Sequence, residues 1–328
     1  MSNLKANSLK LNKYLVPFSF PVVFFLIIMI LLPEKISLSN IPYIILQSVM
    51  PAVIAWGACF SMTIGNINFA TGAFVITSAI IGGNIALNLN LGIWGIIVLC
   101  PIIGLICGSI TGWLFVMLKI PSMIVSIGVM LILESICSVV FGGGGVYLPR
   151  EFVVFGNSIY TLIFGAVIFL FAFILYNYMP FGYHVRAIGN NPTVARTSGL
   201  NVFKMRFLCF ALGGLFAGFY AALLLGSTSV QRPVNAMGSM RMVFDAMMCV
   251  FVGTSLGGSM SIISSIFIGS VVMQILQLLL TAANFPSTFT QAIIAFVVLI
   301  AMCYSSLKEI KEAKAKHKRE LASIIETS

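Results

Sequence analysis

The sequence predicts an all-α membrane protein with about ten transmembrane helices. Of its 328 residues, 60% are hydrophobic and only 8% are charged, whereas about 25% of the residues in a soluble domain are charged. The mean hydropathy of +1.10 is too high for a water-soluble fold, because one core cannot hide so much apolar surface. The composition therefore excludes a soluble enzyme, a nucleic-acid-binding protein and a disordered chain. The apolar runs also lack the alternation of a membrane β-barrel.

A helix needs about 20 apolar residues to cross a membrane, and the sequence contains ten such runs. The third and the eighth runs are interrupted by glycine, asparagine and serine, which indicates broken or re-entrant helices. The first run follows three lysines, but it is too long for the apolar core of a signal peptide. The predicted spans are 16–32, 42–63, 68–88, 92–118, 122–141, 159–179, 206–226, 243–258, 261–281 and 287–304.

The distribution of basic residues predicts the orientation of these spans. If the N-terminus is cytoplasmic, 14 of the 18 lysines and arginines fall inside and 4 fall outside, as the positive-inside rule requires. We therefore expect both termini in the cytoplasm. The domain organisation is an N-terminal tail (1–15), a transmembrane domain (16–304) with a long cytoplasmic loop (180–205), and a basic C-terminal tail (305–328).

Glycines at four-residue spacing predict close packing between helices. Gly104, Gly108 and Gly112 form one such series, and Gly214 and Gly218 form another. Small residues at this spacing let two helix backbones approach in lipid, where apolar surface alone does not drive association.

Groups able to perform chemistry inside the membrane are scarce in this sequence. No histidine lies in a predicted span and the seven cysteines form no CxxC pair, so no metal site is expected. Glu134 is the one carboxylate well inside a span. It is either a hydrogen-bonded structural group or the proton-binding group of a coupled carrier. The sequence has no GxxxxGK[ST] phosphate loop, so the chain is not expected to hydrolyse ATP alone.

The loop 180–205 contains the signature of a short capped helix. Asn191 is suited to cap its N-terminus, and Pro192 fits the first helical position. The stretch 193–198 supplies the turns, and Gly199 is a left-handed stop. Because so short a helix is unstable alone, it must be held either by a cytoplasmic partner or by its own helix bundle.

Four segments resemble the permease subunits of bacterial ATP-binding-cassette importers of the ribose and simple-sugar group. The loop segment AIGNNPTVARTSGLNV is similar to the family signature AxGxNxxAARxSGINV. GNINFATGAFV resembles GGIDLSVGS, and KIPSMIVSIGVMLILESI resembles xIPPFIVTLGTMxxxRGI. FVGTSLGGSMSIISSIFIG resembles LGGTSLxGGxGSxxGTxxGA. Asn68 stands where the family usually has aspartate, and Glu134 stands where arginine is common.

The resemblance implies a type II importer fold in the bacterial cytoplasmic (inner) membrane and a set of partners. These are a second permease chain (itself or a homologue), cytoplasmic ATPase subunits, and a periplasmic or extracellular binding protein that delivers a simple sugar. The permease itself is then not an enzyme and has no cofactor, since ATP and Mg²⁺ are bound by the partner ATPase. Two alternatives remain: a nucleoside or amino-acid importer of the same fold, and a proton-coupled carrier that uses Glu134. The basic tail either contacts anionic membrane lipid or is solvated.

The resemblance also implies that the loop helix is a coupling helix, which docks in a cleft of the ATPase. The predicted coupling residues are Arg186, Gly189, Asn190, Asn191, Pro192, Ala195, Arg196, Ser198 and Gly199.

Two further sets of residues are candidate contacts for the solute and for the delivery protein. The broken segments 65–72 and 253–259 offer polar side chains and an aromatic face beside exposed backbone, although glycine-eased helix crossings explain the same pattern. The predicted path residues are Asn66, Asn68, Phe69, Gly72, Glu134, Thr254 and Ser255. Three basic residues predicted on the outer side are candidates to bind carboxylates of the delivery protein, or else are solvated loop charges. They are Arg150, Arg232 and Arg241.

Overall fold

The computed structural model describes residues 41–284 except 156–157 and 258–259, together with residues 286, 289, 292–296 and 299. The predicted first span, 16–32, and both predicted tails lie outside the described residues, and so does most of the span 287–304.

The described residues form ten α-helices joined by short connections, with one pair of very short strands. The helices are α1 (Ile41–Thr63), α2 (Thr71–Asn88), α3 (Gly92–Leu118), α4 (Ser122–Val139), α5 (Ser158–Asn177), α6 (Pro180–Asn190), α7 (Pro192–Thr197), α8 (Val202–Thr228), α9 (Met240–Gly257) and α10 (Ile262–Ala282). Two 3₁₀ turns, Val140–Gly143 and Arg150–Phe152, flank strand β1 (Val146–Tyr147), and β2 (Val230–Gln231) follows α8.

Seven of these helices are long and apolar enough to cross a membrane: α1, α2, α3, α4, α5, α8 and α10. They confirm the prediction of a helical membrane protein. The predicted spans 42–63, 92–118 and 261–281 agree with α1, α3 and α10 to within one residue. The predicted eighth span corresponds to α9, which has 18 residues but is not among the seven.

The bundle is organised around α1, α2 and α8, which are the most deeply buried of the spanning helices. Trp56, Phe60, Phe74 and Phe216 belong to these helices and are almost completely buried. The rings of Phe60 and Phe216 meet between α1 and α8 at 5.9 Å. The helices α3, α4 and α5 are peripheral and expose large apolar side chains, such as Trp94, as lipid-facing surfaces do.

The most extensive contact between two described helices joins α3 and α8, and it is built on the predicted glycines. A Cβ added to Gly104 would collide with the carbonyl oxygen of Gly214, and one added to Gly214 would collide with that of Gly104. Gly108 and Gly218 make equally close backbone contacts in the same crossing. The predicted close packing is therefore confirmed, and it leaves no room for a larger residue.

Short structures mark the two ends of the bundle. At the β-strand end, Val146 pairs antiparallel with Gln231, and the side-chain amide of Asn84 donates to the carbonyl of Gly145 at 3.1 Å, which ties this pair to α2. At the α6–α7 end, Gly189 packs against the carbonyl of Thr63, the last residue of α1. Each end is thus anchored to a central helix.

We expect Gly214→Ala to destabilise the protein, because its new methyl group has to push α3 and α8 apart. Overpacking of this kind costs about 1–3 kcal/mol. Gly213→Ala is the matched control, since a Cβ at that neighbouring position meets nothing closer than the carbonyl oxygen of Gly57 at 3.8 Å. Thermal unfolding in detergent measures both variants. Equal melting temperatures for Gly214→Ala and Gly213→Ala would contradict the tight crossing.

Candidate functional site

The N-terminus of α7 is capped as the sequence predicts. The side-chain oxygen of Asn191 accepts hydrogen bonds from the backbone N–H groups of Thr193 (3.0 Å) and Val194 (3.1 Å). Pro192 occupies the first turn, where a missing N–H costs nothing. Two of the unpaired N–H groups at this helix end are therefore satisfied by one side chain.

The C-terminus of α7 is closed by a Schellman motif. Gly199 has a φ of +85°, and its N–H donates to the carbonyl of Arg196 at 3.1 Å. The N–H of Leu200 donates to the carbonyl of Ala195 at 3.1 Å. Both bonds belong to this motif, and glycine is the residue that adopts its left-handed position without strain. The predicted stop at Gly199 is confirmed.

Most of α7 is exposed, although its ends are fixed. Ala195 is its one buried residue, while the apolar side chain of Val194 is 58% exposed. The predicted coupling residues Asn190, Arg196 and Ser198 are exposed too. The helix contacts α6 and α8 at its base, so it projects from the bundle as a rigid, accessible knob.

The helix α6 was not predicted from the sequence, which assigned its residues to the loop 180–205. The chain leaves the helical conformation at Met179 (ψ +150°) because the residue before a proline disfavours it, and Pro180 then starts α6. This helix buries Gly182, Val185 and Ile188, which lie on one face. Together with the contact of Gly189 against α1, this face fixes the loop to the bundle.

The two arginines predicted to bind the ATPase differ in their surroundings. The guanidinium of Arg186 lies 4.6 Å from the ring centre of Tyr183 and 5.2 Å from that of Tyr176, which are cation–π distances. Arg196 is exposed on α7. Arg186 therefore strengthens the base of the loop, and Arg196 presents its charge at the surface.

The predicted broken segment 65–72 is non-helical over 64–70, before an uninterrupted α2. The predicted broken segment 253–259 was wrong as far as it is described, because α9 continues through Gly257. Asn68 is buried and its side-chain oxygen accepts a hydrogen bond from the N–H of Ala70 at 3.0 Å, so it stabilises the start of α2. Asn66 is only 7% exposed, and its side-chain nitrogen has no hydrogen-bond partner among the described residues. Such a buried donor requires an explanation, and a polar ligand supplies one.

Glu134 anchors the loop that precedes α9. Its carboxylate accepts hydrogen bonds from the N–H of Met237 (2.9 Å), the N–H of Ser239 (2.9 Å) and the hydroxyl of Ser239 (2.6 Å). One turn further along α4, the hydroxyl of Ser138 donates to the side-chain oxygen of Asn235 at 2.6 Å. The carboxylate thus occupies a structural position, and it corresponds to the first of the two interpretations of this residue.

Three of the seven predicted path residues contact the start of α9 or the loop before it. Gly72 packs directly on the backbone of Ser239, which also binds Glu134. The ring of Phe69 meets that of Phe244 edge to face at 6.2 Å. Two more, Asn66 and Asn68, lie in the same non-helical segment as Phe69.

The other two predicted path residues lie elsewhere on α9. Thr254 and Ser255 follow Phe244 by ten residues or more, which is about 15 Å along a helix. The hydroxyl of Thr254 donates to its own helix, at the carbonyls of Val250 (2.9 Å) and Phe251 (3.0 Å). The structure does not bring them to the cluster.

The predicted docking arginines lie near the β-strand end and the start of α9. Arg150 begins the 3₁₀ turn after β1, and Arg232 is exposed directly after β2. Because β1 pairs with β2, both segments lie at one end of the bundle. Arg241 is exposed in the first turn of α9. Within the ranges that the structure describes, no three histidine, cysteine or acidic side chains are grouped as a metal site requires.

A family model described as "Branched-chain amino acid transport system / permease component" matches residues 40–302. The chain belongs to this family of permeases. With its apolar spanning helices, the permease is a multi-pass protein of the bacterial cytoplasmic membrane.

Sugar permeases are among the similar proteins of known name. The L-arabinose ABC transporter permease AraH of Azospirillum brasilense is 25% identical, over 88% of this chain and 86% of its own. The galactose/methyl galactoside import permease MglC of Escherichia coli is 24% identical, over 84% and 89%. The ribose import permease RbsC of Haemophilus influenzae is 23% identical, over 86% and 89%. These similarities confirm the resemblance found in the sequence. No solved structure matches the chain.

Several residues of the site were missed by sequence reasoning. Asn235, Met237 and Ser239 contact Glu134 or its neighbour Ser138 from about a hundred positions away in the chain. A single sequence carries no signal for such a pairing. For α6, the proline at its first position was an available signal.

We expect the Glu134→Gln variant to insert into the membrane normally but to be less stable than the parent permease. The amide offers one acceptor atom where the carboxylate offers two, so a buried donor of the 237–239 segment loses its partner, at a cost of about 1–3 kcal/mol. Ser239→Ala is the matched comparison, because it deletes one donor and leaves both N–H groups paired. The melting temperature should fall further for Glu134→Gln, and the reverse order would contradict the anchoring role.

Proposed function

We propose that this permease forms the membrane pathway of an ATP-driven importer for a simple sugar. The arabinose, galactose and ribose permeases that it resembles support a sugar as the solute. In this proposal a second permease chain completes the pathway. An extracellular or periplasmic binding protein delivers the sugar, and ATP and Mg²⁺ are bound by partner ATPase subunits rather than by this chain.

The observation that carries the proposal is the knob formed by α7. This helix is capped at both ends, is held at its base by contacts with α6 and α8, and is otherwise exposed. A docking element for another protein requires these properties. Val194 offers an exposed apolar anchor, and Arg196 offers a charge for an acidic group. The exposed Asn190 and Ser198 lie on either side of this surface.

The proposed topology has ten spans with both termini in the cytoplasm. Five of the basic residues described here lie at the α6–α7 end: Lys119, Arg186, Arg196, Lys204 and Arg206. This end is therefore assigned to the cytoplasm by the positive-inside rule. The β-strand end, with Arg150 and Arg232, then faces outward and provides docking charges for the binding protein. Arg241 is proposed to act with them from the start of α9.

Closure of the ATPase pair on ATP would move α7 as a rigid body. The motion has two routes into the membrane. One passes through α6, whose Gly189 abuts the end of α1 at Thr63. The other passes directly into α8, which begins at Val202 and is locked to α3 by the glycine crossing. The central helices thus tilt with the knob, and the cavity between the permease chains changes its open side.

The cluster at the start of α9 is the proposed contact for the sugar. Asn66 provides a buried amide nitrogen that has no partner among the described residues, and the half-exposed ring of Phe244 beside Phe69 provides an apolar face. Thr254 and Ser255 are proposed to act at a separate point of the path.

The family description favours a second candidate, a branched-chain amino acid. An amino-acid zwitterion needs charged partners. The carboxylate of Glu134 is occupied by three donors, so Arg241 and Asp245 of α9 would have to serve an amino acid. A proton-coupled carrier that uses Glu134 is disfavoured for the same reason. Identifying the solute that a copurified binding protein retains decides between sugar and amino acid. Uptake that needs no ATPase and collapses with an uncoupler would point to the carrier.

We expect Gly199→Val to uncouple the complex, because a β-branched residue is strained at φ +85° and opens the C-terminus of α7. Substrate-stimulated ATP hydrolysis by the reconstituted complex should fall about tenfold, as a loss near 1.4 kcal/mol of docking energy implies. Gly92→Val is the control, since Gly92 also has a positive φ and open space around it but lies in the α2–α3 turn. Normal stimulated hydrolysis by Gly199→Val would refute the coupling role.

We expect Asn66→Ala and Asn68→Ala to separate transport from stability. Asn66→Ala removes an unpartnered amide, so the melting temperature should hold while sugar uptake falls about tenfold through loss of a ligand hydrogen bond. Asn68→Ala removes the bond to Ala70, so the protein should lose about 1 kcal/mol of stability and its melting temperature should fall. Unchanged uptake in Asn66→Ala vesicles would exclude Asn66 from the path.

A further inference from the structure

We propose that a basic cleft at the α6–α7 end binds the headgroup of an anionic phospholipid. The basic cleft has a volume of about 230 Å³ and is lined by Phe115, Val116, Lys119, Ile120, Phe203 and Arg206. Through Phe203 and Arg206 it joins a second cleft of about 460 Å³, which extends to Arg196 on α7. The proposal does not depend on which solute is transported.

Arg206 is a half-buried cation without a counter-ion among the described residues. Its Nε atom is buried and has no hydrogen-bond partner there, while its guanidinium carbon lies 5.9 Å from the ring centre of Phe115. A guanidinium keeps its charge, so the N–H group on Nε is a buried donor that the ring alone does not satisfy. The described carboxylates belong to Glu134, Glu151 and Asp245, and none of them lines either cleft.

Lys119 brings a second charge to the basic cleft at the cost of backbone strain. It ends α3 with φ +55° and ψ +26°, a left-handed position that glycine occupies most easily. Lys119 and Arg206 can both bind the anionic oxygens of a phosphate group, to which arginine can donate two parallel hydrogen bonds.

The apolar lining indicates that the anion carries acyl chains. Phe115 and Val116 belong to the last turn of α3, and Phe203 and Arg206 to the first turns of α8. Both helices are candidate membrane spans, so the basic cleft opens where lipid headgroups meet hydrocarbon. Basic pockets between spanning helices bind anionic headgroups in this way. Free phosphate or a carboxylate of a soluble partner would leave this apolar wall without a ligand.

The test measures lipid binding to the purified full-length permease by native mass spectrometry in a neutral detergent. Phosphatidylglycerol should bind about tenfold more tightly than phosphatidylcholine, because only the former carries a net charge to pair with Arg206 and Lys119. Equal affinity for the two lipids would overturn the proposal. Glycerol 3-phosphate binding as tightly as phosphatidylglycerol would also overturn it, since the site would then be one for a soluble phosphate.

Two variants test whether the lipid binds in the basic cleft. Arg206→Gln should weaken phosphatidylglycerol binding about fivefold or more, by losing a charge-assisted phosphate contact. Lys204→Gln is the matched control, because Lys204 is a neighbouring exposed cation that lines neither cleft. Equal losses in the two variants would mean that only general surface charge attracts the lipid, which overturns the site.

Lys119→Gly keeps the test independent of folding. Glycine removes the strain at φ +55°, so the melting temperature should rise or hold while phosphatidylglycerol affinity falls. An unchanged affinity would remove Lys119 from the site and overturn the two-cation cleft. If the partner ATPase, rather than the lipid, is lost from both Arg206→Gln and Lys119→Gly, the cleft belongs to the ATPase and the proposal fails.

Discussion

The fold depends on the close approach of helix backbones at glycine. In lipid, apolar side chains gain little by exchanging contacts with hydrocarbon for contacts with one another. Helix association must therefore come from close packing and from polar contacts. The crossing of α3 and α8 supplies the closest packing, with Gly104 and Gly108 against Gly214 and Gly218. Gly253 and Gly269 repeat the arrangement where α9 crosses α10. Because such contacts allow almost no adjustment, the helices that share them move as units.

Polar groups inside the bundle are the second constraint, since each unpaired one is costly there. Most are satisfied by carbonyls one helical turn earlier, as Thr111 and Cys107 illustrate. Others pin separate helices together, as the indole N–H of Trp56 does by donating to the carbonyl of Ile263 at 3.0 Å. Four described side chains have a buried polar atom without a hydrogen-bond partner: Asn66, Ser78, Tyr176 and Arg206. Asn66 lies in the proposed path and Arg206 in the proposed lipid cleft.

The segment formed by α6 and α7 connects the rigid helix bundle to the proposed coupling function. It is fixed inward through the buried face of α6 and the cation–π contacts of Arg186. On its outer side this segment exposes α7, whose two ends are capped. A device that transmits force needs a stiff element at the surface and rigid connections below it, and this segment provides both. A lipid bound in the basic cleft would sit directly beside the base of α7, between the first turns of α8 and the end of α3.

The sequence by itself determined the membrane class, the spans α1, α3 and α10 almost to the residue, and both caps of α7. Each depends on local physics: hydropathy over about 20 residues, a side chain that reaches its neighbours' N–H groups, and the left-handed freedom of glycine. The sequence therefore sufficed to predict the caps at Asn191 and Gly199 and the close packing at the glycine series.

Only the tertiary structure decided which distant residues meet. The partners of Glu134 lie about a hundred residues away in the loop before α9, and the basic cleft combines the end of α3 with the start of α8. The same is true of the separation of Thr254 and Ser255 from the other path candidates. These pairings follow from how the helices cross and tilt. Many side chains acting together set that geometry, so no local pattern encodes it.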